Sequence, residues 1–316
     1  QDSIGIEDLA ANDIEAISFI YNIPLWLINL WISEFGRDKT EDLCAWFNEQ
    51  PKLTARINTI LIDIPQCLTM LNEQGWVVTQ DSNYEDIIYI NSHRGSLEKS
   101  EAFIKGYITF MDKASMLVAR LVNPQPGERI LDCCAAPGGK SMYMATLMDN
   151  VGSLMSCDIH EHKIELLNSN ADRLGASIVH TKVQDATKLP DSWNSYFDRV
   201  LVDAPCSGLG ILQKKLDMRW RKQESILREL PPLQLAILER AAMTVKEKGY
   251  LIYSTCTLNY KENEEVVESF LQKHKEFSII PVVEDFPLKS NSGMITTYPP
   301  TDDMDGFFMV KMQRIS

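Results

Sequence analysis

Apolar positions change their period twice along the chain. Between residues 7 and 50, Ile17, Ile20, Leu25, Leu27, Leu30 and Trp31 recur near helical spacing with Pro24 as an interruption, which predicts short helices. Arg56-Ile57-Asn58-Thr59-Ile60-Leu61 then alternates like a strand. Residues 65–74 return to a helical period, and WVVT and IIYI read as two more strands. This mixture predicts a small α+β unit. The polar stretch NSHRGSLEKSE (91–101) is the expected linker, with the domain boundary between residues 102 and 103.

From residue 103 the pattern becomes strand–helix alternation. Expected strands are RILDCC (129–134), GSLMSCD (152–158), ASIVHTKV (176–183), FDRVLVDA (197–204), GYLIYSTC (249–256), FSIIPVV (277–283) and GFFMVKM (306–312). Helical stretches fill most of the gaps, notably 160–174, 224–247 and 259–274. Apolar strands joined by helices imply an α/β fold, a mainly parallel sheet covered by helices on both faces. The last strand follows without a clear helix and is expected to enter antiparallel.

Composition narrows the classes. At 316 residues with 45% hydrophobic and 24% charged positions, the chain is long enough for about two domains with real cores. No run approaches the ~20 apolar residues of a membrane span, and the acidic start lacks the regions of a secretory signal. That start also lacks Met, which fits a processed chain or a piece of a longer one. Seven scattered cysteines fit free thiols in a cytoplasmic protein better than a disulfide framework. The formal charge of −13 argues against nonspecific coating of nucleic acid, although a local basic patch can still dock RNA.

The stretch Leu131 to Ser141 (LDCCAAPGGKS) runs from a strand through a Gly-rich turn into a helix beginning near Lys140. In an open α/β sheet, the first such turn is where a nucleotide-like ligand sits. A Walker loop would need Gly at position 134, which is Cys, and G-x-G-x-x-G is absent. An adenosyl ligand without pyrophosphate and a ligand-free structural turn both stay open. Asp158, Asp185 and Asp203 close successive strands at the same edge, where a carboxylate can accept from ribose hydroxyls. Cys206 in DAPCSG and Cys256 in STCT also lie at strand ends. Cys44, Cys67 and Cys157 read as small buried hydrophobes. No C-x-x-C or His partner stands at ligand spacing, so no metal is expected.

Taken together, CCAAPGGK, DAPCSG, STCT, RINT, NPQPGERILD, NADRLG and DGFF resemble the motifs of the NOL/NOP/Sun family of RNA (cytosine-C5) methyltransferases, and within it the bacterial small-subunit ribosomal RNA type B. The resemblance covers most of residues 24–312. It implies a Rossmann-like domain that uses S-adenosylmethionine. Cys134, Ala135, Ala136, Pro137, Gly138, Gly139 and Lys140 would hold the methionine end, Asp158 the ribose and Asp185 the adenine. Asp203 would sit between the cofactor and cytosine N3. By the same resemblance Cys256 attacks the base, Cys206 is needed for product release, and Lys140 counts with the catalytic residues.

The chemistry gives reasons for such a set. Cytosine C5 is a poor nucleophile until a thiolate adds to C6, an acid near N3 promotes that addition, and a base must later remove the C5 proton. The target base must also leave its stack. In the segment 212–222 (LQKKLDMRWRK), Lys214, Lys215, Arg219 and Arg221 are expected to meet phosphates, with Arg56 and Asn58 of the small domain adding contacts.

Departures from the family are MDKAS (111–115), where relatives have Q-D before A-S, and a start too late for the antitermination-factor-like domain of the type-B enzymes. The expectation is a monomer acting on small-subunit ribosomal RNA. The same chemistry on transfer RNA, or a non-catalytic ribosome-assembly factor, are the alternatives.

Overall fold

A computed structural model describes residues 13–282, 286–288, 290 and 292–315. The expected helical residues 7–12 and the strand end Val283 lie outside the described residues. Three helices open the chain: α1 (Asp13–Tyr21), α2 (Leu25–Phe35) and α3 (Arg37–Asn48). The small unit follows as β1 (Thr54–Ile57), α4 (Ile64–Glu73), β2 (Val77–Gln80), β3 (Ile87–Ser92), α5 (Glu101–Ile104) and β4 (Ile108–Phe110). Its antiparallel sheet has the order β2-β3-β1-β4. Because β4 belongs to this sheet, the segment 91–101 is a connection inside the small unit, and the boundary moves past residue 110. A three-residue strand leaves too little alternation to be read.

The rest comprises α6 (Lys113–Val122), β5 (Arg129–Asp132), α7 (Gly139–Leu147), β6 (Ser153–Asp158), α8 (Glu161–Leu174), β7 (Val179–Val183), β8 (Phe197–Asp203), α9 (Met218–Arg221), α10 (Ile226–Thr244), β9 (Val245–Thr255), α11 (Glu264–Lys273), β10 (Phe277–Ile279), β11 (Met294–Thr296), α12 (Pro299–Asp302) and β12 (Phe308–Arg314). The sheet order is β10-β12-β9-β8-β5-β6-β7, with β11 paired to β12. Strands β5 to β9 are parallel and β12 enters antiparallel against β9, as the sequence led one to expect. This is a Rossmann-like sheet with helices on both faces. One face packs α6 and α7 through Leu117, Val118, Tyr143 and Met144; the other packs α10 and α11 through Leu238, Ala241, Val267 and Phe270. Strand order reverses between β5 and β8, so the loops after their carboxyl ends diverge and open a crevice there. Among the described residues no single helix is long and apolar enough to cross a membrane.

The small unit is fastened to the larger sheet's helices by buried side chains. Arg56 is fully buried and donates to Thr146 Oγ1 (3.1 Å), with its guanidinium 5.0 Å from the centre of the Tyr143 ring on α7. Asn58, also fully buried, donates to Gly106 O and Leu174 O, each at 2.9 Å. The expectation that these two side chains contact RNA is therefore corrected: both faces of β1 are covered, and the pair fastens the small sheet to α7 and α8.

Burial holds Arg56 down to about 10, against the pull of Tyr143 and Asp86, so it stays charged at neutral pH. Its Nε and Nη2 have no partner. Packing of its stem and the stacking on Tyr143 thus carry most of its contribution. Arg56→Ala should lower stability by about 2–4 kcal/mol through the cavity it leaves, and Arg56→Met should recover most of that loss. Urea midpoints of the three proteins provide the check; equal midpoints would refute a packing role.

Candidate active site

The Gly-rich turn after β5 is held to its neighbouring strands by backbone bonds. Cys133 N donates to Leu201 O (3.0 Å) and Ala135 N to Cys157 O (2.7 Å). Gly138, with φ +105°, starts α7, and a Cβ there would stand 3.0 Å from Leu167 Cδ2. Only glycine takes that backbone without strain and leaves that gap open. Beneath the turn, fully buried Asp132 accepts from Ser141 Oγ (2.7 Å), which accepts in turn from Ser156 Oγ (2.9 Å).

Around the switch point lies a cavity of about 470 Å³, within the range of small-molecule sites. Its lining includes Cys134, Ala136, Asp158, Asp185, Asp203, Cys206 and Cys256, so most of the residues anticipated from sequence converge on one space. Asp158 Oδ1 accepts from His160 N (3.0 Å) and Oδ2 lies 3.5 Å from Lys163 Nζ. Asp185 accepts from Thr187 N and Oγ1, which holds its carboxyl below the ordinary range. Ala135, Pro137, Gly138 and Gly139 shape the turn rather than line the cavity.

Lys140 reaches the site through Asp203: its Nζ donates to Asp203 Oδ2 at 2.7 Å, while Ser254 Oγ donates to Oδ1 at 2.8 Å. Burial opposes the Lys140 charge, but the Asp203 carboxylate more than offsets this and holds the ammonium above its usual value. Phe307, from the DGFF segment, places its ring centre 5.1 Å from the same Nζ.

The two cysteines meet. Cys206 Sγ and Cys256 Sγ are 3.2 Å apart and both thiols are free. The hydrogen bond to Cys256, followed by burial, pushes the Cys206 thiol well above its normal value, and either sulfur can be the donor in the contact between them. Burial pushes Cys44, Cys67 and Cys157 up to about 12, as expected of inert core thiols. The loops carrying the pair are locked by Gly210, whose N donates to Cys256 O (3.0 Å) and whose O accepts from Gly306 N (2.8 Å). A Cβ on Gly210 would lie 1.8 Å from Gly306 O, so glycine is required there.

Matches to known proteins follow the same layout. A family model described as 16S rRNA methyltransferase RsmB/F matches residues 119–313, and an RsmF/B-like methyltransferase ferredoxin-like domain matches residues 23–95. The chain belongs to the RsmB/F methyltransferase family. It is 37% identical over 297 residues to the probable ribosomal RNA small subunit methyltransferase B of Bacillus subtilis, covering 92% of this chain and 66% of that protein. The namesake from Synechocystis is 36% identical over 305 residues, covering 93% and 67%. The chain thus spans about two thirds of the length of these curated relatives. The crystal structure of NSun6 from Pyrococcus horikoshii with SFG superposes with a TM-score of 0.84 at 21% identity, covering 93% of this chain and 98% of that one, and shares the fold.

Not every basic residue of the RsmB/F chain's 212–222 segment faces outward. Arg219 is buried and donates to Phe47 O (2.5 Å) and Asn48 Oδ1 (2.7 Å), closing the carboxyl end of α3. Lys214 bridges Asp112 and Asp305. Arg219 is corrected from a phosphate contact to an internal tie, since helix-end carbonyls meet its charge, whereas Lys214 stays exposed while paired to the two carboxylates. Lys215 and Arg221 are exposed. The sequence reading also missed Glu262, Ser207 and Asn263, all within hydrogen-bonding distance of residues beside the two cysteines or at the end of β9. The signal for Glu262 and Asn263, the polar string NYKEN (259–263), lies within the expected helical stretch 259–274, and Ser207 stands inside DAPCSG.

Asp132 offers a pH test of this architecture. Burial, with Asp203 adding to it, raises its carboxyl to about 7 despite the opposing bond from Ser141. A raised folded value favours the neutral form, so the stabilisation is complete below the unfolded value near 4 and is lost as pH rises through about 7. Asp132→Asn stays neutral throughout. Its melting midpoint relative to the parent should therefore climb between pH 5 and pH 8; a difference that does not vary with pH would refute the assignment.

Proposed function

We propose that this chain methylates C5 of a cytosine in RNA, with small-subunit ribosomal RNA as the substrate and S-adenosylmethionine as the methyl donor. The observation that carries the reading is the 3.2 Å approach of two free thiols beside the Lys140–Asp203 pair, at the wall of one cavity. Stability alone does not call for two partly exposed cysteines at adjacent strand ends, whereas a covalent route to C5 calls for a thiol nucleophile with a proton partner.

The cavity fits the donor in size, and it is bordered by a small-residue turn that permits close approach and by carboxylates at the ends of β6 and β7. Cys134 to Lys140 would hold the methionine end, Asp158 the ribose and Asp185 the adenine edge. When bound, the donor supplies an electrophilic methyl group.

The chain's own residues prepare the base. Cys256 Sγ adds to C6, and the electron pair released toward C5 makes that carbon nucleophilic. The Lys140–Asp203 pair supplies the proton or hydrogen bond at N3 that draws electrons during the addition. After methylation a base takes the C5 proton, the C5–H pair becomes the C5–C6 double bond, and the C6–S bond breaks to restore the Cys256 thiolate. Cys206, the thiol nearest Cys256, promotes that last step.

RNA reaches this mouth over exposed Lys215 and Arg221, with Trp220 60% exposed between them and Met218 of the same short helix lining the cavity. Cations bind phosphate there, and the indole offers a stacking face for an unpaired base.

Two outcomes are expected. Cys206→Ala incubated with cofactor and total RNA should accumulate a covalent protein–RNA adduct, and Cys256→Ala should form none; sequencing the trapped RNA separates ribosomal from transfer RNA. Adduct from Cys256→Ala instead would reverse the two roles, and failure of the parent to methylate any RNA would leave an assembly factor. Second, Lys215→Glu with Arg221→Glu should raise KM for RNA at least tenfold with cofactor affinity unchanged. An unchanged KM for RNA would remove the lip from the binding surface.

A further inference from the structure

Glu262 belongs to no step above, yet it is fully buried between the loops that carry the two thiols. Four donors converge on its two oxygens. Ser207 N (2.9 Å) and Gln234 Nε2 (2.9 Å) donate to Oε2, and Ser207 Oγ (2.5 Å) and Asn259 Nδ2 (3.0 Å) donate to Oε1. Since the Ser207 hydroxyl is committed as donor to Glu262, it accepts from Thr257 Oγ1 at 2.7 Å. Gln234 Nε2 also donates to Pro205 O (3.0 Å). Cys206 is thereby gripped on both sides, at the carbonyl of the residue before it and at the amide and hydroxyl of the residue after it. The Cys256 loop is touched farther from its thiol, directly at Asn259 and through the Ser207 hydroxyl at Thr257.

A carboxylate is the group this pocket requires. All four convergent groups donate, and a carboxylate offers acceptors in every direction. The amide of glutamine would turn its own N–H donors toward at least one donor of the protein, leaving buried groups unpaired. Burying a carboxylate among neutral donors costs stability that an apolar cluster would not, so its retention points to a geometric requirement.

We propose that Glu262 is a positioning residue that holds Cys206 against Cys256 and thereby sets the rate at which the methylated base is released. This inference rests on the two-thiol reading above. It places Glu262 in the second stage of the reaction, since two of its four bonds grip Ser207, next to Cys206, and Gln234 ties it to the carbonyl before Cys206, whereas its one bond to the other loop ends at Asn259, three residues past Cys256. The donor-binding turn, Asp158 and Asp185 hang from other strands and lie outside its network.

The test uses in-vitro transcribed small-subunit ribosomal RNA from Bacillus subtilis and labelled cofactor. For Glu262→Gln, kcat should fall at least tenfold and the covalent adduct should accumulate at steady state. Cofactor affinity and the single-turnover rate of adduct formation should stay within about twofold of the parent. The double variant Glu262→Gln with Cys206→Ala should be no slower than Cys206→Ala alone, because both act on one step. Ser207→Ala, which removes the hydroxyl's bonds to Glu262 and Thr257 and leaves the Ser207 amide in place, should show the same signature more weakly and decides the matter if Glu262→Gln does not fold.

An unchanged kcat in the folded variants would overturn the proposal. So would loss of cofactor affinity in step with kcat, or multiplied defects in the double variant. Absence of adduct in Cys206→Ala itself would instead sink the two-thiol reading, which keeps the two failures apart.

Discussion

Neighbouring strands of a sheet run about 4.8 Å apart, and side chains at matched register positions inherit that spacing. In β8 and β9 the matched pair at the carboxyl ends is Asp203 and Ser254, and Ser254 Oγ bonds the carboxylate opposite it. Three residues beyond Asp203 comes Cys206, and two beyond Ser254 comes Cys256. A slip of one residue in this pairing would turn every side chain on β9 to the other face and separate both the Asp203 bond and the thiols. The 3.2 Å sulfur contact is thus a consequence of strand register that the loops then refine.

The refinement draws on the whole chain. Leu209 and Leu212, just past Cys206, and Leu258, just past Cys256, are buried in one cluster with Leu27, Ile28 and Trp31 of α2. Tyr260 N donates to Glu34 of the same helix, and Gln213 Nε2 donates to Trp46 O of α3. The opening helices therefore form the outer wall of the thiol loops, while Glu262 and Asn263 form the inner one. Asn263 accepts from Thr255 Oγ1 (2.6 Å) and donates to Thr257 O (2.9 Å), holding the residues on either side of Cys256. The opening helices, which read from sequence only as short helices, thus buttress the site without lining its cavity.

What the sequence makes legible follows the strength of its local signals. Parallel strands buried on both faces leave continuous apolar runs, and each was readable in FDRVLVDA and GYLIYSTC, so the acidic and thiol-bearing edge could be placed without coordinates. Period-two reasoning fails on β1, because both faces of Thr54–Ile57 are covered and polarity no longer reports exposure. Arg56 then looks like a surface cation while packing against an aromatic ring. The segment around α9 inverts intuition in another way: Arg219 points inward to unmet carbonyls of a helix end and Trp220 points out. Nothing in MRWR distinguishes those orientations, since the deciding partner, α3, lies some 170 positions earlier. Glu262 was hidden for the same reason, its donors arriving from loops far apart in sequence.

The inward turn of cations also changes how the charge of −13 bears on RNA. Arg56, Arg199 and Arg219 are buried, and Lys214 lies between two carboxylates. Their charge is spent on interior partners, which leaves the solvent-facing surface with fewer cations than composition implies. A chain of this kind gains little from long-range attraction to phosphate. If the chain acts on RNA as proposed, selectivity would come from short-range elements at the mouth: a few cations to fix the backbone, a ring that can stack, and a cavity for a base that has left its neighbours. On the proposed function, weak general attraction paired with a demanding site would favour an unpaired, accessible base over the bulk of helical RNA, because the protein contributes little that would offset unstacking anywhere else.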